Sequence, residues 1–343
     1  MSKKLKAQLF VLDNLIWVIV IGFFLINAFF TPRFATPPNI VNIFYHSAIM
    51  SMLVLGQGLI LIMGNLDLSI ESTLAFAPGI AMLVATQWIA GGLHPVMAII
   101  LTLAIGALVG FFNGFCISKV KVNPFLQTLS MMIILRGLIL YLVPFSIFPL
   151  HKTYIYVGQA RIGEIPVAIP IVLVVFLISH CLLQYTPFGR RFMATGSNPR
   201  ASFICGVDTT KMVIYAFMIS GFLAAVAGLL AAGRQGSVSN TMGDGMVLLA
   251  FAGAILGGAG LEGGKGTPIG MLGGAVLLGM FSNSLNLLGV GVTIVYATKG
   301  ALIFLAILID RVRVKIRNHL LHQEQLRKIN LSEKEVRHAG LST

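Results

Sequence analysis

Ten apolar stretches, joined by short polar connections, constrain this chain more than any motif within it. They fall at about 13–30, 43–63, 70–90, 95–118, 124–148, 166–185, 212–232, 246–258, 267–288 and 294–310. Roughly 20 apolar residues in helical form cross a hydrocarbon core. No water inside that core satisfies backbone amides, so segments of this kind hold their hydrogen bonds internally, as helices. The expected fold is an all-α polytopic membrane protein of about ten transmembrane segments. The eighth stretch is too short to cross as a straight helix, and glycines interrupt its neighbour, so broken or re-entrant helices are expected there. With 57% hydrophobic and 10% charged residues, the chain does not read as a soluble enzyme.

A net charge of +13 would suit nucleic acid, but the positions of the cations argue otherwise. Eight of the 24 Lys and Arg lie in the last 33 residues. With ten spans, eighteen of the cations fall on the side of the termini and four (Arg33, Lys152, Arg161 and Arg234) on the other. Cytoplasmic loops carry the excess of Lys and Arg, so both termini are expected in the cytoplasm of a multi-pass protein. The start, KKLK before an apolar run, imitates a signal peptide, yet no small-x-small cleavage site follows, and it reads as a retained first span. Cys116, Cys181 and Cys205 are scattered and odd in number, which implies neither a disulfide framework nor a metal site.

Stretches 2–5 and 7–10 are five apart and so cross in opposite senses, which permits an inverted repeat with a pathway at its interface. FFNGF (Phe111 to Phe115) and MFSNSL (Met280 to Leu285) share an aromatic-x-Asn core in support of it.

The eleven acids all lie in loops, in the tail or near span ends. Ion-coupled carriers keep a carboxylate near the bilayer midplane; none is evident here, so the driving energy is expected from elsewhere. Arg136 and Lys299 are embedded cations, which either border a solute path or tie helices to backbone carbonyls. The amides Gln57, Asn65, Asn113, Gln127, Asn283 and Asn286 suit a neutral, hydroxyl-rich ligand, since they donate and accept without a charge. Each also serves equally as interhelical glue. GNLDLSIES (Gly64 to Ser72) places Asp67 and Ser69 where they can cap the next helix. GGAGLEGGKGT (Gly257 to Thr267) is not a phosphate-binding loop: Ala259 stands at the first glycine position and Gly266 replaces the Ser or Thr. Its glycines instead let a tight turn approach neighbouring helices. No Ser-His-Asp set, HExxH motif or carboxylate pair suggests catalysis.

One polar stretch interrupts the hydrocarbon-like sequence, YTPFGRRFMATGSNPRASFICGVDTTK from Tyr185 to Lys211. Asn198-Pro199 marks a turn, followed by a short helix that ends at Gly206. By composition alone it is an ordinary basic loop that fixes orientation. A short helix joined stiffly to two spans is also how a membrane subunit receives a push from a soluble one.

Together these residues resemble the permease subunits of ribose-type ABC sugar importers, over about 300 residues from Thr31 to Asp310. The pieces are TPRF-x-x-PPNIVNI, GNLDLSI, FFNGF with VNPFLQTL, Arg136–Gly137, TPFGRRFMATGSNPRASFICGV, GGAGLEGGKGTPIG, SNSLNLLGV and Lys299–Gly300. The resemblance implies a permease domain at 1–311, a cytoplasmic coupling loop at 186–211 and a basic cytoplasmic tail at 312–343. It implies import of a small neutral sugar or polyol across a bacterial inner membrane, with a stand-alone secondary carrier as the competing reading. The implied partners are a second permease (homo- or heterodimer), an ABC ATPase with two nucleotide-binding halves, a periplasmic or lipoprotein sugar-binding protein, and membrane lipid; nucleic acid is not among them. ATP-Mg would bind the ATPase, and this chain would hold no cofactor or metal. Pro199, Arg200, Ala201, Gly206 and Val207 match the ATPase-coupling helix. Gly64, Asp67, Ser69, Gly263, Gly264 and Gly266 form the structural motifs, and Asn113, Gln127, Arg136, Asn283 and Asn286 are candidates for the solute path. The chain departs from the family pattern at Glu71, where glycine is usual. It departs again at GDGMVLLAFAG (Gly243 to Gly253), which lacks a usual acidic run, and in a longer tail whose Ser332–Glu335 reads as a capping box.

Overall fold

The computed structural model describes residues 12, 14–89 and 92–338; the basic start at Lys3 to Lys6 and Asp13 lie outside them. In chain order the helices are α1 (Leu15–Phe30), α2 (Pro37–Ile62), α3 (Ile70–Leu83), α4 (Pro95–Phe115), α5 (Pro124–Leu142) and α6 (Lys152–Gln159). A small hairpin, β1 (Arg161–Ile162) with β2 (Ile165–Pro166), precedes α7 (Ala168–Tyr185), α8 (Pro187–Ser197), α9 (Pro199–Ile204) and α10 (Thr209–Gln235). The last three are α11 (Met246–Leu256), α12 (Pro268–Leu287) and α13 (Val292–His338). Single wider π turns at Val84–Trp88 and Cys116–Val120 extend α3 and α4.

Local chemistry explains where these helices begin. Proline opens α2, α4, α5, α8, α9 and α12, because the first helical position needs no amide donor and suits proline's fixed φ. Side-chain caps complete several starts: Asn123 Oδ1 accepts from the Phe125 amide at 3.0 Å, Asn198 Oδ1 from Ala201 at 3.0 Å, and Asp208 Oδ1 from Lys211 at 3.0 Å.

Each of the ten apolar stretches contains a helix, although in the fifth it ends at Leu142. Among the described residues seven helices (α2, α4, α5, α7, α10, α12 and α13) are long and apolar enough to cross a membrane. The eighth stretch, expected to be half of a broken helix, is the 11-residue α11. The shortness of α3, 14 residues with Pro78 inside it, makes it the counterpart of α11 in the first half.

Segments 2–5 and 7–10 pack in matching ways. In the first half α3 packs on α4 and α5; in the second α11 packs on α12 and α13. The leading helix of each half is exchanged: α10 lies against α3 and α4, while α2 lies against α11 and α12. Helices α2, α10 and α12 are therefore mostly buried, whereas α4, α5, α7 and α13 expose most of their surface. That surface is apolar, as with Ile133 on α5, Leu177 on α7 and Phe304 on α13, and suits lipid tails. Without a hydrophobic drive between helices in lipid, close approach holds the bundle together. The α4–α10 seam shows it: a Cβ on Gly106 would meet the Gly221 carbonyl, and one on Gly110 the Phe217 carbonyl.

The tail differs from expectation. Helix α13 runs without a break past Arg311 and through 332–335, so no new helix starts at Ser332. A helix that is already hydrogen-bonded leaves no free amides there to cap.

Candidate functional site

Two loops, each leading into a short helix, bring the starts of α3 and α11 together. Loop 63–69 carries Asp67 inward until its Oδ2 accepts from Ser220 Oγ at 3.1 Å, near the middle of the 27-residue α10. Asp67 is 1% exposed, so this acid, which the sequence places near a span end, is enclosed by protein. The other oxygen, Oδ1, accepts from the Ser69 amide at 2.9 Å and from Ser69 Oγ at 2.6 Å. These donors surround the carboxylate with the hydrogen bonds a buried charge requires. The capping expectation needs correction as well: the Ser69 side chain makes no bond to the first turn of α3. Its Oγ instead accepts from Asn113 Nδ2 at 2.9 Å, and Asn113 Oδ1 accepts from Gln127 Nε2 at 3.2 Å. One polar chain thus runs from α10 through the α3 entrance and α4 to α5. Asn113 is fully enclosed in it.

The second loop, 236–245, folds back to meet the first. Glu71 Oε2 accepts from the Val247 amide at 3.0 Å, so the first turns of α3 and α11 touch. A carboxylate at a helix N-terminus is favourable because orphan amides and the helix dipole both point at it. The two departures noted in the sequence, Glu71 and the altered 243–253 run, are therefore neighbours in space. Arg136 of α5 holds the same loop. Its Nη1 donates to the Asn240 carbonyl at 2.6 Å and the Met242 carbonyl at 3.4 Å, and its Nη2 lies 2.6 Å from Asp244 Oδ1. In this conformation Arg136 ties a helix to backbone carbonyls, the second of its two expected roles.

Lys299 lines a cavity of about 410 Å³ with His46, Arg234, Asp244, Leu278 and Ser282, a size suited to a small ligand. The cavity sits at the end of the bundle where α2 and α13 begin and α10 and α12 finish. The Arg234 guanidinium lies 4.5 Å over the Tyr45 ring and donates to His46 Nδ1 at 2.8 Å. Neither Arg234 nor His46 stands out in the sequence, since 188 positions separate them. Asn283, beside cavity-lining Ser282, forms a reciprocal amide pair with Asn39 at 3.0 Å in each direction. Asn286 is exposed at the end of α12, where its carbonyl accepts from the Gly289 amide at 3.1 Å.

At the opposite end lies the interrupted polar stretch. Helix α8 leads into α9, the short helix expected after Asn198-Pro199, and Gly206 follows with φ +82°. Phe203 and Ile204 on α9 are 70% and 83% exposed, and Arg200 is exposed beside them. The glycine-rich turn packs beneath: the Gly264 amide donates to the Ile62 carbonyl at 2.8 Å. At Gly264, φ is +69° and a Cβ would meet the Ser197 side chain, so only glycine combines that conformation with that approach. Among the described residues no three His, Cys, Asp or Glu side chains gather as a metal site.

A helical membrane bundle with halves that exchange their leading helices, two short helices meeting inside and a cavity lined by both charged and apolar side chains is built as a transport subunit. The comparison with known families agrees: residues 39–309 match the family described as branched-chain amino acid transport system / permease component, and the chain belongs to it. It is 36% identical over 290 residues to the ribose import permease protein of Bacillus subtilis strain 168, covering 84% of this chain and 89% of that one. The ribose import permease protein of Escherichia coli strain K12 is 32% identical over 287 residues, with 82% and 88% covered. The fructose import permease protein of Rhizobium meliloti is 31% identical over 305 residues, with 86% and 83% covered. No solved structure matches the chain.

Proposed function

We propose that this chain is the permease subunit of an ATP-binding-cassette importer that moves a small neutral sugar or polyol across a bacterial inner membrane. The observation that carries this reading is the similarity to ribose and fructose import permeases along more than four fifths of the chain. An ABC ATPase with two nucleotide-binding halves would bind ATP-Mg and supply the energy. A periplasmic or lipoprotein sugar-binding protein would deliver solute, and a second permease would complete the pore.

The geometry supports an assignment of roles to the two ends. The cavity end would receive solute, and the exposed Phe203, Ile204 and Arg200 on α9 would dock the ATPase, with Pro199, Ala201, Gly206 and Val207 shaping that helix. The basic asymmetry along the sequence supports cytoplasmic termini, a permease domain at 1–311, and a tail at 312–343, which continues α13 as far as His338. Asn283 and Asn286 would border the path near the cavity. Asn113, Gln127 and Arg136, now engaged in the polar chain and the loop tie, would border it once α3 and α11 move apart. Transient contact with amides suits a neutral solute, whereas a cationic one would call for free carboxylates.

The test is uptake of labelled solutes into vesicles that contain the whole complex. Neutral sugars or polyols should be preferred, and preference for an organic acid or amine over every neutral sugar tried would overturn the reading. Burial of the Asp67 carboxylate favours one alternative, a secondary carrier. Uptake that persists without any ATPase would establish it.

A further inference from the structure

The amide of Gln57 is fully enclosed, and neither its Nε2 nor its Oε1 finds a hydrogen-bond partner among the described residues. Enclosing an amide in this way is unfavourable compared with a leucine of similar size. The neighbouring polar side chains on α2 are satisfied: Ser47 Oγ donates to the Ile43 carbonyl and Ser51 Oγ to the Ser47 carbonyl. Gln57 is thus an exception on its own helix, and a buried polar group without partners calls for an explanation.

Its position supplies one. His46, Met50, Leu53 and Gln57 recur at i, i+4, i+7 and i+11, which sets them on one stripe of α2. His46 and Met50 line the cavity. Gln57 is seven residues beyond Met50 along the helix, about 10 Å deeper at 1.5 Å per residue. The adjacent Gly56 packs against Ile70 in the first turn of α3 and Ser220 in the middle of α10. Gln57 therefore lies inward of the cavity floor, at the depth where the two broken helices begin.

We propose that Gln57 is the next binding group a solute meets after the cavity, and that it selects for uncharged polyhydroxy compounds. This rests on the importer reading above. A primary amide offers two donors and an acceptor, and a hydroxyl both donates and accepts, so each satisfies the other without burying an ion. Solute hydroxyls then occupy the bonds that the closed conformation leaves unmade.

The experiment uses the reconstituted complex with the best neutral sugar found for the wild type and an analogue lacking one hydroxyl. Uptake is normalised to inserted protein for wild type, Gln57→Leu and Gln57→Asn. Losing one hydrogen bond should lower uptake of the full sugar by on the order of tenfold in Gln57→Leu. Uptake of the deoxy analogue should fall less, so that the preference between the two collapses, and Gln57→Asn should recover part of it. A fall by the same factor for both solutes, or no change, would overturn the assignment, because a purely structural amide cannot distinguish two solutes. Should Gln57→Leu fail to insert, the preference measured in Gln57→Asn and Gln57→Thr decides. A wild type that carries no neutral sugar would overturn the importer reading itself, before any variant is compared.

Discussion

Replacing Arg136 by methionine removes a guanidinium while keeping a side chain of comparable reach, and the structure sets what should be lost. The pair with Asp244, at 2.6 Å, joins a side chain that is 19% exposed to one that is 55% exposed. Water and salt screen a pair open on that side, so it contributes about 0–1 kcal/mol. The bond to the Asn240 carbonyl, also 2.6 Å, is charge-assisted and better enclosed, and the 3.4 Å contact to Met242 adds little. A hydrogen bond to a charged group contributes about 1.5–3 kcal/mol. Arg136→Met should therefore destabilise the closed 236–245 loop by about 2–4 kcal/mol, and Asp244→Asn by about 1 or less. Val238 is fully buried in that loop and pairs with Ile147, so a cysteine placed there reports opening through its rate of labelling by a thiol reagent. Relative to the same cysteine alone, adding Arg136→Met should speed labelling by roughly 30- to 1,000-fold, and adding Asp244→Asn by about fivefold or less. Equal acceleration by the two variants would refute the reasoning, since it would mean that the ion pair and not the carbonyl bonds holds the loop.

Asn283→Leu should lower thermal stability by about 1–3 kcal/mol, because the Asn39 Oδ1 loses the donor it accepts from while its Nδ2 keeps only the Phe34 carbonyl at 2.8 Å. The double variant Asn39→Leu/Asn283→Leu should cost less than the sum of the singles, and strict additivity would show that the pair contributes nothing. Gly206→Trp or Arg200→Glu should leave the protein inserted but weaken its hold on the ATPase and its stimulation of ATP hydrolysis; wild-type behaviour in both would make α9 a passive loop. The Asp208 carboxyl is held below the usual aspartate range chiefly by the Lys211 amide it accepts from. Its capping contribution to α10 is thus complete above about pH 3.9 and lost as pH falls through the lowered value. Amide exchange at Lys211, corrected for intrinsic rate, should show fraying only below that range, and fraying at pH 5 would contradict it.

What the sequence determined by itself is local. Apolar runs at 13–30 through 294–310 each contain a helix, because a lipid-facing segment satisfies its backbone only internally. Asn198-Pro199 and Gly206 bounded α9 because capping and proline geometry act within three or four residues. The shortness of the 246–258 run announced a broken helix on length alone. The tertiary structure decided everything that depends on depth and on partners distant in the chain. Asp67 reads as a loop acid at a span end, yet the fold buries it and bonds it to Ser220, 153 residues away. Glu71 and Val247, separated by 176 residues, join two helix starts. Arg136 and Lys299 look alike as embedded cations, but one secures a loop and the other lines the cavity. Asn113 reads equally as an amide that meets solute or as interhelical glue, and it is bonded within a polar chain, whereas Gln57, no different in sequence, finds no hydrogen-bond partner among the described residues. Hydropathy and capping are summed along a few neighbouring residues and so are legible in one dimension. Whether a buried amide or carboxylate is satisfied depends on which helix lies opposite, and only the folded bundle brings those helices together.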